Sequence, residues 1–233
     1  MLAHHVSRCK LKHSLILSAL ILIVGPLPSR AEPPDEALRA FAVNVHRTPM
    51  QTWGPGYGIY LGRGVFITAA HVVGRSWFTR PKIAIRGREY PTSVIKEGSF
   101  EDTDITLLAV QENLLPMSLR LRRTSLCKAA PTPGEEVITI VPEAAVHSHV
   151  ISPQRLPPDV RRFNTVIGDV AKTGNSGAGV FDAKQRCLLG IMSRKISTTQ
   201  FHPETGKTEV HDIAKYFVPS PTIAAFMPPD LHW

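Results

Sequence analysis

The sequence predicts an all-β protein built as an antiparallel β-barrel or sandwich, on three observations. Stretches with strand character are short, they recur along most of the chain, and Gly, Pro or polar turns separate them where long helical periods would otherwise stand. The 233-residue chain is 43% hydrophobic. Once a leading segment is set aside, roughly 200 residues remain, enough for one core or for two small barrels sharing an interface.

In chain order, the strands are expected at Phe41–Val45, Gly58–Leu61, Val65–Thr68, Lys82–Ile85, Ile105–Val110, Val137–Val141, Val180–Phe181, Leu188–Met192 and Tyr216–Val218. Most are rich in β-branched or aromatic residues, which fit a pleated, half-buried surface. The proline-rich segment Pro153–Pro158 reads as a loop, and Pro221–Met227 as a short terminal helix opened by its proline. There is no internal repeat and no low-complexity tract.

Residues 1–31 read as a signal peptide. Arg8, Lys10 and Lys12 form a positive start, Leu15–Val24 is an apolar run, and Ser29-Arg30-Ala31 places small residues where signal peptidase prefers them. Cleavage is expected after Ala31, leaving residues 32–233 as one exported domain, secreted or periplasmic. The apolar run falls short of the roughly 20 residues that span a bilayer, so no stable membrane insertion is expected after cleavage, an uncleaved anchor being the alternative. The segment carries four Lys or Arg and no acid, so the formal charge falls from +8 to +4 with its removal. The remaining cations are dispersed as Arg120-Leu121-Arg122-Arg123, Arg161-Arg162 and Arg194-Lys195, without aromatic interleaving. Specific nucleic-acid binding is not expected of such a pattern.

Three segments carry chemistry. In Thr173-Gly174-Asn175-Ser176-Gly177-Ala178 a serine stands between glycines, a tight turn that presents a nucleophile with backbone N–H groups around it. Upstream lie Ile67-Thr68-Ala69-Ala70-His71-Val72-Val73 and Asp104-Ile105-Thr106-Leu107-Leu108. A serine hydroxyl needs an imidazole to take its proton, and a buried carboxylate fixes that imidazole's tautomer and stabilises its cation. These roles fall to Ser176, His71 and Asp104. Asp102 is the rival carboxylate, but Asp104 directly precedes the alternating run. The N–H groups of Gly174, Asn175 and Ser176 are the candidate oxyanion hole.

The order His, Asp, Ser, at sequence separations of 33 and 72, resembles the chymotrypsin-like serine peptidases. Asn175 and the scarcity of cysteine make it similar to their bacterial branch, the HtrA protease domain and the glutamyl endopeptidases. The resemblance runs from about Val43 to Phe226 and implies two antiparallel six-stranded β-barrels with a short C-terminal helix. It puts the boundary between halves near 115–135, with His71 and Asp104 on the first half and Ser176 on the second. It also implies peptide or protein substrates and no cofactor. Val170, Ala171 and Thr173 would form one wall of the pocket for the residue before the scissile bond. Ser193, Arg194 and Lys195 would form the strand edge along which substrate lies, Ser193 supporting the peptide or the carboxylate.

Enzymes of this kind that cut after Lys or Arg carry Asp where this chain has Val170, so little such cleavage is expected. Small or medium apolar residues suit Val170 and Ala171; an acidic one would suit Lys195 or a nearby histidine turned inward, against the ordinary expectation of a lysine in solvent. With Asn175 before the serine, ordering of the oxyanion loop by a new Ile-Val terminus is not expected.

Cys9 leaves with the signal peptide, and Cys127 and Cys187, each just ahead of a strand of the second half, are expected to be bonded, two free thiols being the alternative. His147-x-His149 is the nearest approach to a metal motif and reads as loop chemistry, so no metal site is expected. The leading functional expectation is an exported serine endopeptidase working through an acyl-enzyme. A catalytically weak or inactive member of the fold that binds peptides or proteins in the cell envelope is the alternative, and a basic envelope-binding protein the third.

Overall fold

The computed structural model describes residues 34–47, 56–168 and 176–231. The predicted signal peptide, together with Val170, Ala171, Thr173, Gly174 and Asn175, lies outside them.

A short helix, α1 (Pro34–Arg39), leads into β1 (Ala42–His46), β2 (Gly56–Gly62) and β3 (Val65–Thr68). One helical turn each follows in α2 (Ala70–Val73) and α3 (Ser76–Thr79), then β4 (Lys82–Ile85), β5 (Arg88–Pro91), β6 (Ser93–Glu97) and β7 (Thr106–Ala109). These seven strands form one antiparallel sheet in the order β5-β4-β1-β2-β3-β7-β6. A connection holding α4 (Met117–Arg120) crosses to the second half: β8 (Glu136–Val141), β9 (Ala144–Ile151), β10 (Val166–Ile167), β11 (Gly179–Asp182), β12 (Leu188–His202) and β13 (Lys207–Pro219). These close into a six-stranded barrel, and α5 (Ser220–Phe226) ends the chain of elements. The all-β expectation with a terminal helix stands; the first half differs in having seven strands in a sheet whose edges, β5 and β6, do not pair with each other.

Alternation explains how the halves meet. Along β2, β3 and β7, Tyr60, Phe66 and Leu108 turn into the first half's own core with Val43, Val45 and Ile83. The intervening Ile59, Leu61, Val65, Ile67 and Leu107 face the other way, against Ile138, Ile140, Phe181, Leu188, Ile191 and Val218 of the second half. Strands buried on both faces read as nearly continuous apolar runs. Ile223 and Met227 from α5 join that shared cluster. The second barrel's own interior holds Val137, Ile167, Ala178, Val180, Leu189, Met192 and Phe217.

The two cysteines are bonded, with Cα atoms 5.0 Å apart and 60 residues of separation. Leu188 on β12 donates its N–H to Ser125 O and accepts from Cys127 N–H, which holds the connection beside the strand. Closing a loop of that length stabilises the fold by about 4 kcal/mol in the chain-entropy estimate. The doubly substituted Cys127→Ser/Cys187→Ser protein should therefore show a urea midpoint well below that of the oxidised parent. Equal midpoints would mean that the bond constrains nothing.

His147 and His149 lie on β9, not in a loop. His147 bridges two acids, Nε2 to Asp35 on α1 (2.9 Å) and Nδ1 to Glu136 on β8 (3.1 Å), while Arg186 holds the other Asp35 oxygen at 2.9 Å. Hydrogen bonding to Asp35 first, then to Glu136, raises the His147 pKa above its ordinary 6.5. Hydrogen bonding from His147 lowers Asp35 below 3.8, against the opposing effect of burial. The His147 contribution is complete below pH 6.5 and is lost as pH rises through its elevated folded value; that of Asp35 is complete above 3.8 and is lost as pH falls through its depressed one. The clasp on α1 is thus strongest between those limits. All three groups are partly solvated, so the effect amounts to about 0.5 kcal/mol or less. Amide exchange in α1, corrected for intrinsic rates, should be faster at pH 8 than at pH 5.5, and His147→Gln should remove the difference.

Candidate active site

β3 ends at Thr68, and the next residues turn into α2, which carries His71 at the rim where the two halves meet. Asp104 stands two residues before β7 and is 1% exposed. Its carboxylate is fully engaged. The His71 ring Nδ1 lies 2.8 Å from Oδ2 and 3.1 Å from Oδ1, and the His71 backbone N–H donates to Oδ1 at 3.0 Å. The Ser193 hydroxyl donates to Oδ2 at 2.5 Å. With Nδ1–H committed to the carboxylate, Nε2 is the ring nitrogen left to act as a base. Asp102, the rival, is exposed.

Ser176 comes from the other half. Its carbonyl accepts the N–H of Tyr57 at 2.9 Å, and the N–H of Gly177 donates to Met192 O at 2.8 Å. Gly177 has φ +88°, and a Cβ there would stand 1.8 Å from Tyr57 O and 2.7 Å from Thr68 Oγ1. Only glycine lets the serine turn lie this close to β2 and β3. The Ser176 hydroxyl donates to Ser193 O at 3.1 Å. A hydroxyl has one proton, so in this arrangement that proton is directed at Ser193 and not at His71. The structure therefore brings His71, Asp104 and Ser193 into one bonded group and sets Ser176 beside it through the Ser193 carbonyl.

The strand-edge residues divide. Ser193 is buried and joins the Asp104 carboxylate through its hydroxyl and the Ser176 hydroxyl through its carbonyl. Arg194 stacks its guanidinium on Phe100, 3.7 Å from the ring centre, with Phe163 on its other side at 5.7 Å. It also donates to Phe100 O and, at 3.3 Å, to Ser193 Oγ. Phe100 in turn meets the His71 ring edge to face at 5.3 Å. Lys195 does not turn inward. Its ammonium binds Asp212 at 2.6 Å on a largely solvated side chain, so the ordinary lysine expectation holds.

The contacts of Phe100 and Phe163 with Arg194, and of Phe100 with His71, were not legible in the sequence. Nothing in a lone aromatic four positions before Asp104 announces that it will cover His71. Lys215 is buried opposite Lys195, a placement fixed by the β12–β13 register. Burial first, then the like charge of Lys195, lowers its pKa to about 8, while Asp212 pulls it upward. Burial likewise raises that of Tyr216 beside it. Among the described residues no group of side chains has the makings of a metal site.

No protein-family profile and no characterised protein matches the chain by sequence. Solved structures match it in fold. The inactive form of Rv3671c from M. tuberculosis aligns at TM-score 0.55 and 14% identity over 87% of this chain and 92% of that one. A serine endoprotease from Yersinia pestis aligns at 0.54 and 16%, over 82% of this chain and 62% of that one. The serine protease of a human pathogenic astrovirus aligns at 0.51 and 20%, over 82% and 94%. At these identities the likeness is one of fold, and the fold this chain adopts is that of the chymotrypsin-like serine proteases.

Proposed function

We propose that the protein is an exported serine endopeptidase that cleaves peptide bonds through an acyl-enzyme on Ser176. The observation that carries this reading is the buried Asp104 carboxylate holding His71 by both its ring and its backbone N–H, beside a serine turn pinned at Tyr57 and Met192. Rotation of the Ser176 hydroxyl from the Ser193 carbonyl toward His71 Nε2 gives the attacking arrangement. His71 takes the serine proton as Oγ adds to the scissile carbonyl, and the backbone N–H of Ser176 meets the developing oxyanion. His71 then gives the proton to the leaving amine, and water, deprotonated by the same imidazole, releases the acyl group. Asp104 stays ionised throughout, holding the tautomer and the cation.

Substrate has a docking edge. β11 pairs with β12 only as far as Gly179 opposite Ile191, whereas β13 continues along the other side of β12. On the β11 side, Ser193–Lys195 therefore has no strand partner among the described residues, and an extended peptide would add there by main-chain hydrogen bonds. Export is supported by the N-terminal segment and by the Cys127–Cys187 bond, since such bonds persist in oxidising compartments. No helix among the described residues is long and apolar enough to cross a membrane.

One observation favours a second reading, a peptide-binding protein with a silent site: the Ser176 proton is directed away from His71. A fluorophosphonate separates the two. Rapid stoichiometric labelling of Ser176, located by peptide mass, is expected of the endopeptidase. No labelling, together with no hydrolysis of a mixed peptide library, would support the silent binder.

A further inference from the structure

α3 holds two large aromatic side chains that the core does not use. None of its four residues is buried, yet it carries Trp77 at 75% exposure and Phe78 at 53%. Their rings meet edge to face, 5.9 Å between centres, so the two form one apolar knob. Scattered surface hydrophobes are ordinary, whereas adjoining ones rimmed by polar groups mark a contact with a protein or a membrane.

The rim decides between these. Arg75 and Arg80 bracket α3 and are both exposed. Neither makes an ion pair among the described residues. Arg80 stands at the helix C-cap with φ 44°, a left-handed position that favours glycine or asparagine, and so keeps a cation there at a conformational cost. The Arg47 guanidinium lies beside Gly74, just ahead of the helix. Two carboxylates reach this region, and both are held: Glu97 accepts the Ser76 hydroxyl, and Glu89 binds Lys82 at 2.7 Å and His46 at 2.9 Å. Four cations, Arg47, Arg75, Arg80 and Lys82, thus stand against two acids. Beside the helix, Trp77, Arg80, Lys82, Pro91 and Val94 line a cleft of about 540 Å³. Its walls set apolar carbon next to cations, the complement of a phospholipid, which sets glycerol and acyl carbon next to a phosphodiester. Tryptophan and phenylalanine rings settle at the headgroup level of a bilayer, and nearby cations are drawn to anionic lipid. Export through a membrane, as the N-terminal segment predicts, delivers the domain onto such a surface.

We propose that α3 and its rim form a membrane-docking surface, in which Trp77 and Phe78 enter the headgroup layer of an anionic phospholipid bilayer while Arg75 and Arg80 bind its phosphates. One helical turn cannot span a bilayer, so the domain lies on the membrane without crossing it. This surface is independent of the peptidase reading.

The core among the described residues runs from Leu38 to Met227, so the molecule to test is the chain from Glu32, free of the apolar run Leu15–Val24. It should co-sediment with vesicles of phosphatidylcholine and phosphatidylglycerol in equal parts at a Kd about tenfold or more below that for phosphatidylcholine alone, and the difference should shrink as salt rises. A cation at an anionic surface contributes about fivefold in affinity, so Arg75→Gln/Arg80→Gln should weaken binding to the mixed vesicles about twentyfold. Trp77→Ser/Phe78→Ser should weaken it about tenfold or more. Tryptophan emission should move to shorter wavelength on vesicle binding, and Trp77→Phe should lose that shift while still binding. None of these side chains is buried, so urea midpoints should match the parent's. Absent binding, equal Kd for the two vesicle types, or binding that survives both double substitutions overturns the proposal. Self-association in sedimentation velocity that Trp77→Ser/Phe78→Ser abolishes, without vesicle binding, overturns it too and makes the knob a contact between copies of the chain.

Discussion

Ser176→Ala is expected to lower kcat for peptide hydrolysis by a factor on the order of 10⁴ to 10⁶, and His71→Ala by a comparable factor. The double variant should be scarcely worse than either alone. On the proposed mechanism Ser176 and His71 act as one unit, so once either is gone the other has nothing left to do, and what remains would come from binding and oxyanion contacts. Stability should barely move. Ser176 is partly exposed and its hydroxyl makes one hydrogen bond, to Ser193 O, a loss of about 1 kcal/mol at most. Steady-state kinetics with matched urea titrations check both halves of the expectation. Ser176→Ala protein that hydrolysed peptides at the parent rate would refute the assignment outright.

Gly177→Ala should damage both stability and turnover. The new methyl would fall 1.8 Å from Tyr57 O, a backbone atom that cannot swing aside, on a residue whose φ of +88° already disfavours any side chain. Relief requires the serine turn to back away from β2 and to surrender the bond from Tyr57 N–H to Ser176 O. A loss of about 2–4 kcal/mol is expected, from backbone strain and overpacking together. A displacement of even an ångström at Ser176 costs on the order of a hundredfold in rate. A variant with the parent's urea midpoint and the parent's kcat would show that the turn is not pressed against Tyr57 as described.

The legible strands are those whose inward faces are apolar and continuous: β3 and β4 fall where expected, and β2, β7 and β8 within two residues at each end. β5 escaped because its hairpin turns on Arg86-Gly87, with φ of 49° and 80°, a turn whose usual sequence is Asn-Gly or Asp-Gly. It was also hidden by Tyr90 being its single buried residue. β9 escaped because the polar Ser148 takes an inward position between His147 and His149. β12 and β13 run far past the expected ends at Met192 and Tyr216, since the outer part of that hairpin is held by backbone pairing and shows no apolar alternation. At the candidate site, the local motifs single out Ser176, His71 and Asp104, which the structure places near one another through Ser193. No local motif marks the Phe163, Arg194, Phe100 and His71 stack, because it is written across four separate segments and appears only when the chain closes.

On the endopeptidase reading, the contact between Tyr57 and Ser176 makes the proposed reaction centre a coincidence detector for assembly. One half supplies His71 and Asp104, the other supplies Ser176, and the shared layer of Ile59, Ile67, Ile138 and Ile191 joins the two halves. On that reading a nascent chain would hold no working nucleophile while the first half folds alone, and would gain one only when the last strands arrive. Fragments divided in the connection between β7 and β8 should be inert apart and regain labelling at Ser176 when mixed, so that activity itself reports whether the two halves have found each other.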